Sequence, residues 1–467
     1  AWGMVKKLVP ADGAAYDDFG LSVAVAGDMI VVGAHWDDDM GSDSGSAYVF
    51  ERNAGMKTNE WVQVAKLTAP DGAEGDDFGV SVAVDGDVAV VGAGLKFLLM
   101  GAAYVFERNA GLETNAWAFV AKLTASDAGR GDLFGHSVAV CGDVIVAGAY
   151  GRAARAGAAY VFERNAGLKT NEWRQVQKIV PLDALDECRF GYSVAVCGDV
   201  IVGGAYGDAG VGADAGAAYV FERNAEMKTN EWRQVRKIIA SDRLAGDQFG
   251  ISVAAAGDLV VVGANQDDDL GNASGAAYVF ERNAGGTNRW GQVQKIRHPT
   301  GAAGDGFGVA VAAGGGLILA GASGDDGLGA NSGSACVFPA QREDWPEAKK
   351  LTASDGAALD TFGVSVAVAG DVAVVGACSD EDLGSQSGSA YVFERNAGGT
   401  NRWGQARKLL ASDGATGDDF GISVAVAGDV AIVGARFDDD TGDASGSAYV
   451  FERNAGGTNR WGQARKL

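Results

Sequence analysis

The sequence predicts an all-β fold, an eight-bladed β-propeller of four-stranded antiparallel blades. Three observations predict it: one segment recurs eight times, each recurrence carries a four-strand pattern, and composition stays even along the chain. The recurring segment opens on Phe-Gly and has the form FGxSVAVxGDxxVVGA. Its phenylalanines are Phe19, Phe78, Phe134, Phe190, Phe249, Phe307, Phe362 and Phe420, spaced 59, 56, 56, 59, 58, 55 and 58 residues apart. Each unit continues through a variable loop to GSAYVFERN and closes on W-x-Q-V-x-K-L. Two copies, Ser387–Leu409 and Ser445–Leu467, are identical.

In the first unit, Phe19, Leu21, Val23 and Val25 alternate with Gly20, Ser22 and Ala24, the period of two expected of a strand. Met29–Ala34 is a continuous apolar run after Gly27-Asp28, as in a strand buried on both faces. Ala47–Arg52 places Tyr48 and Phe50 on one side, and Trp61–Leu67 supplies the fourth strand. The Ala-Gly-Asp turn between the first two strands is short enough for a hairpin. A linear β-solenoid competes with this reading, but its rungs are usually shorter than these units.

Composition supports one domain over residues 1–467 rather than several. Glycine (72 residues) is abundant, proline (6) is scarce, and 47% of the chain is hydrophobic, so a large core can form. With 61 acidic against 38 basic residues the net charge is −23, which makes nucleic acid an unsuitable partner. Cations, basic proteins and neutral glycans stay compatible. Cys141, Cys188, Cys197, Cys336 and Cys378 show no CxxC spacing and so indicate neither a zinc site nor a redox motif. No apolar run reaches the ~20 residues of a membrane span.

The motif FGxSVAV…VVGA…GSAYVF resembles the FG-GAP repeat of integrin α-subunit propellers and many extracellular proteins. The resemblance covers nearly the whole chain and implies an FG-GAP-type propeller, with an extracellular or cell-surface setting. The sequon Asn272-Ala273-Ser274 agrees with that setting. The integrin-like calcium loop, Asp-x-Asp-x-Asp-Gly between the first and second strands, is replaced here by Ala26-Gly27-Asp28 and its equivalents, so that calcium site does not carry over.

Ring closure leaves alternatives open. Nine W…KL segments, beginning at Trp2, Trp61, Trp117, Trp173, Trp232, Trp290, Trp345, Trp403 and Trp461, accompany eight Phe-Gly segments. Residues 1–8 are therefore an extra fourth-strand segment. They and Trp461–Leu467 both suit the last place in the final blade. One of them closes the ring, or the chain is cut from a longer array, or a spare strand adds to a neighbouring molecule.

The second-to-third and fourth-to-first connections should share one face of the disc, and this face collects the variable sequence. Acidic second-to-third loops stand in blade 1 (Asp37, Asp38, Asp39), blade 5 (Asp267, Asp268, Asp269), blade 7 (Asp380, Glu381, Asp382) and blade 8 (Asp438, Asp439, Asp440), with Asp325 and Asp326 in blade 6. Clustered carboxylates next to a turning glycine are what Ca²⁺ requires, although the alternating ligand spacing is missing. Solvated, turn-capping aspartates are the competing reading. In the fourth-to-first loops the last aspartate before Phe-Gly is expected to fix the turn by accepting backbone amides.

Blades 2–4 break the pattern. Blade 2 has Leu95, Lys96, Phe97, Leu98, Leu99 and Met100, blade 3 has Arg152 and Arg155, and Arg189 precedes blade 4. Apolar anchors flanked by arginine suit a protein interface; the competing reading is a loop folded over its own blade. Arg130-Gly131-Asp132 resembles an integrin-recognised adhesion tripeptide, but it falls where the template already supplies Gly and Asp and needs only one chance arginine.

No catalytic elbow, zinc-protease helix, phosphate loop or dinucleotide fingerprint occurs, and His35, His136 and His298 lie in different contexts. The expected function is a non-enzymatic scaffold that docks a protein partner or larger assembly through the blade 2–4 loops. The alternatives are a calcium-dependent module for glycans or cell-surface ligands on the acidic arc and, behind both, a hydrolase. No cofactor is required by this reading, apart from the calcium of the alternative.

Overall fold

The computed structural model describes residues 2–52, 61–108, 116–164, 172–223, 231–287, 289–340, 349–400 and 402–453. They form eight four-stranded antiparallel sheets arranged as an eight-bladed propeller. Blade 1 is typical: Phe19–Ala26, Met29–Ala34, Ser46–Arg52 and Trp61–Leu67, hydrogen-bonded in that order. Ala26 pairs with Met29, leaving Gly27-Asp28 as a two-residue turn. Gly27 has φ +57°, the left-handed backbone that such a turn demands. The second strands, rich in β-branched residues, are buried at every position, as strands covered by sheet on both faces must be. First strands are shorter in the later blades, for example Val138–Cys141, because there Phe134 keeps only one bridge.

Phe-Gly is the joint between blades. Phe19 is fully buried, edge-on to Tyr48 and Phe50 with ring centroids 5.4 and 6.1 Å away. The next phenylalanine, Phe78, makes a parallel bridge to Gly45 of blade 1. A Cβ on Gly45 would stand 2.0 Å from the Phe78 carbonyl oxygen, so only glycine permits this approach. Seven further bridges repeat the joint, the last being Phe19 to Gly446. On the other face tryptophans tie the blades: the Trp61 indole N–H donates to Glu452 (2.7 Å), Trp117 to Glu51 (2.9 Å) and Trp173 to Glu107 (2.7 Å).

Closure uses the first segment of the chain. Trp2–Leu8 pairs antiparallel with Ser447–Arg453 and completes blade 8, with a register shift between Met4 and Lys6. Other fourth strands carry the same shift, as between Val49 and Phe50. The competing segment, Trp461–Leu467, lies outside the described residues, as does Trp345. All five cysteines are free thiols. No helix among the described residues is long and apolar enough to cross a membrane.

Candidate interaction face

The two variable loops of each blade meet on one face, and a lysine from the fourth strand holds them together. In blade 1 the Lys66 ammonium lies 3.0 Å from Asp37 and 2.7 Å from Asp12 and also contacts Asp39. The Tyr48 hydroxyl donates to the same Asp37 at 2.7 Å, and Asp37 is buried. Lys237 with Asp208, Lys295 with Asp267, Lys408 with Asp380 and Lys7 with Asp438 repeat this arrangement. Blade 6 keeps Lys350 on Asp325 at 2.6 Å.

The candidate metal residues therefore have other work within these clamps. Asp37, Asp267 and Asp438 accept from lysine, tyrosine and a loop amide. Asp39, Asp269 and Asp440 contact the same lysines. Asp38, Asp268 and Asp439 accept the backbone N–H groups of Asp43, Ala273 and Ala444. An ammonium group occupies the centre of each carboxylate set.

The last aspartate before Phe-Gly caps the fourth-to-first turn as expected in blades 3, 5, 6 and 7 (Asp132, Asp247, Asp305 and Asp360), whereas in blades 1, 2 and 8 the cap stands one residue earlier. Asp17, Asp76, Asp247 and Asp418 accept the amides of Ala14, Ala73, Leu244 and Ala415, while the following residue (Asp18, Asp77, Gln248, Asp419) adopts positive φ. Burial, aided by the nearby loop carboxylates, raises Asp17 to about 7 and Asp247, Asp360 and Asp418 to about 6.

Blades 2 and 3 carry a cation where the other blades carry the buried aspartate. Counted from the Gly-Ala that ends the second strand, Lys96 and Arg152 stand at the place of Asp37, Asp208, Asp267, Asp325, Asp380 and Asp438. Lys96 was expected on the surface and is instead 5% exposed, its ammonium on Asp76 and 2.7 Å from the Asp71 carbonyl oxygen. A desolvated lysine must find a carboxylate, and only the loop interior offers one. Arg152 is likewise turned inward, 2.9 Å from Asp127 and 3.0 Å from Asp132. Arg189 stacks over Tyr206, 4.9 Å from the ring centroid, and pairs with Asp214 at 3.3 Å. Of the predicted basic contacts, Arg155 alone is well exposed, 3.5 Å from Glu187.

With their cation anchored inside, these loops push their tips outward. Phe97, Leu98 and Leu99 have φ of +44°, +59° and +66°, and Ala153, Ala154 and Arg155 repeat the left-handed turn in blade 3. Such backbone costs an L-residue roughly 1–2 kcal/mol at each position. Phe97 is 69% exposed and Leu98 57%, with Leu95 and Leu99 also exposed and Met100 half-buried. Leu95–Met100 line a hollow of about 620 Å³ together with Asp71, Glu74 and Asp76.

A neighbouring aromatic group went unnoticed in the sequence. His136 lies 4.8 Å from Tyr150 and 5.3 Å from Tyr192, and Tyr192 lies 4.8 Å from Tyr206, by ring centroids. Burial lowers the His136 pKa. The signal was present: the residue after Phe-Gly is aliphatic at Leu21, Val80, Ile251, Val309, Val364 and Ile422, but His136 and Tyr192 in blades 3 and 4.

No curated relative matches the chain. Among solved structures, the Chaetomium thermophilum Sqt1, crystallised bound to the N-terminus of the ribosomal protein L10, aligns with a TM-score of 0.50. The two are 14% identical, over 95% of this chain and 100% of that one, a likeness of fold alone. The family profile described as FG-GAP repeat matches residues 2–50, 61–106, 117–162, 173–221, 232–280, 290–338, 345–393 and 403–451. Each matched unit opens at a tryptophan, so Trp2–Leu8 begins the first unit just as it completes the last blade. With eight units covering most of its length, the chain belongs to the FG-GAP repeat family.

Proposed function

We propose that the propeller is a non-enzymatic scaffold that docks a protein partner through the loops of blades 2–4. The observation that carries this reading is the blade 2 tip, where Phe97 and Leu98 face solvent from a left-handed turn anchored by buried Lys96. Strained backbone that presents apolar side chains has a use when a partner covers them. Leu95, Phe97, Leu98, Leu99 and Met100 supply contact area and Arg155 a charged edge. Lys96, Arg152 and Arg189 hold the loops in shape. Sqt1 lends a precedent at the level of fold, since it binds a segment of another protein. An extracellular or cell-surface setting belongs to the same proposal, resting on the family and the exposed Asn272.

The test is co-purification with the chain from its native source. The double variant Phe97→Asp, Leu98→Asp should lose the partners retained by the wild type while keeping its melting temperature, and Asp268→Asn should keep them. Undiminished retention by the double variant would overturn the reading. A calcium-dependent module for glycans or cell-surface ligands on the acidic arc has less support, because a lysine ammonium sits at the centre of each carboxylate set. A flat calorimetric titration at millimolar calcium would remove it.

A further inference from the structure

Where blades meet on the variable face, one backbone bond recurs: the residue before each Phe-Gly donates its amide to a loop carbonyl of the preceding blade. Asp77 pairs in this way with Asp43, Leu133 with Leu99, Arg189 with Arg155, Gln248 with Asp214, Asp419 with Gln386 and Asp18 with Ala444. Each of these joints carries a charge, except the leucine pair. The two joints that flank blade 6 carry none: Gly306 pairs with Ala273, and Thr361 with Asn331. Gly306, Thr361 and Asn331 line a hollow of about 500 Å³, whose other walls come from blades 5, 6 and 7 and are mostly amides, hydroxyls and glycine backbone. Glu381 is its one charged side chain, and it accepts from the Ser385 hydroxyl at 3.1 Å.

We propose that this hollow binds one ring of a neutral carbohydrate, independently of any metal ion. The side-chain amides of Asn265, Gln266, Asn331 and Gln386 each offer both a donor and an acceptor, the pair of roles that a sugar hydroxyl also plays. Uncharged walls let such a ligand enter without stripping water from buried ions. The net charge of −23 turns anions away from the disc as a whole. The acidic loops and their lysines take no part.

Two further details favour a ligand here. The Asn265 amide oxygen is buried with no hydrogen-bond partner, and among the described residues no other asparagine or glutamine carries such an atom. An incoming hydroxyl that the amide turns to meet would remove that cost. The second detail is Leu359, three residues before Phe362. The turns entering blades 2, 3, 5, 6 and 8 place glycine there (Gly75, Gly131, Gly246, Gly304, Gly417), all at positive φ. Leu359 holds φ +73° and is 56% exposed, on the wall of the hollow with Val309. Strained backbone that presents an apolar side chain beside amides suits a sugar, whose C–H face is apolar and whose edge is polar.

Gly306 supplies the blocking variant. It has φ +62°, Gln248 holds φ +56° at the same place in blade 5, and a Cβ built on Gly306 meets nothing nearer than 4.0 Å. Gly306→Gln therefore fills the hollow on a backbone that already accepts glutamine. The test is saturation-transfer NMR on the full chain in EDTA, with glucose, galactose, mannose, xylose and N-acetylglucosamine as probes and glucuronate as the charged control. At least one neutral sugar should receive saturation and glucuronate none. Gly306→Gln should abolish that signal, Gln386→Ala should weaken binding several-fold, and the Phe97→Asp, Leu98→Asp variant should bind as wild type does. Running the bound sugar beside its short oligomer separates the two sources of this chemistry, the tighter form naming a free sugar or the end of a glycan. Silence from every neutral sugar at tens of millimolar would overturn the proposal. So would a signal that needs added Ca²⁺, or one that survives undiminished in folded Gly306→Gln.

Discussion

Blade 1 and blade 2 share strands, register and joint, yet their variable loops behave in opposite ways. In blade 1 Asp37 lies inside, its carbonyl accepts the Gly45 amide that closes the loop, and Ser44 donates to the same oxygen. In blade 2 the Lys96 carbonyl accepts the Gly101 amide in the same fashion, across a loop shorter by three residues. The missing residues are those whose carboxylates and hydroxyls wind the longer loop onto itself. Charge at one position thus decides where a loop finds its partner: an aspartate draws in the lysine of its own blade, whereas a lysine seeks the carboxylate of the turn before it. The tip left over is polar and folded down in one blade, apolar and raised in the other.

The largest effect should come from breaking an acidic clamp. Asp438 is buried and bonded to Lys7, Tyr449 and Ser447, so Asp438→Ala leaves Lys7 to Asp413 and Asp440, removes the buried acceptor of Tyr449 and Ser447, and should cost about 1–3 kcal/mol in denaturant unfolding. A cost below about 1 kcal/mol would show that the clamp is ornamental, as exposed ion pairs usually are. Because Lys7 lies in the closing strand, the same change should loosen the end of the ring first.

A pH comparison sharpens the contrast. Burial raises Asp418 to about 6 from 3.8, so the native state binds more protons than the unfolded chain between these values. The stability from this group is complete below about pH 4 and is lost as pH rises through 6. Asp418→Asn should therefore melt higher than wild type at pH 8, with the two converging near pH 4.5. Asp76→Asn, which removes the partner of Lys96, should melt lower at pH 8. Calorimetric melting temperatures that move the same way for both variants would erase the distinction between the blades.

The smallest effect concerns the raised tip. Leu98 holds φ +59°, a conformation glycine adopts without strain, so Leu98→Gly should stabilise the fold by about 0.5–1 kcal/mol while weakening partner retention. Opposite signs in stability and binding would mark the turn as shaped for contact. Parallel losses would mark it as structural.

Much of this was legible in the sequence. Phe-Gly spacing and alternation located the blades, because Phe19 and Gly45 recur wherever one sheet must touch the next. The acidic and apolar arcs could be read directly. The inward turn of Lys96 and Arg152 could not, because a basic residue in a loop looks solvated until Asp76 and Asp132 are brought beside it. Aligning loops by distance from Gly-Ala would have revealed the charge reversal. The choice between Trp2–Leu8 and Trp461–Leu467 was beyond sequence, since both carry the same tryptophan and the same closing Lys-Leu.

The pairing of Trp2 with Arg453 has a consequence in time as well as space. Seven blades can each form as soon as their own four strands exist. The eighth cannot, because one of its strands precedes the other seven blades in the sequence and the other three follow them. At about 5–20 residues per second of synthesis, Trp2–Leu8 waits on the order of tens of seconds for the edge it will join. During that interval the growing disc is an open spiral with an unsatisfied strand at its leading end. Completion of the ring is then a single late event that locks many early ones.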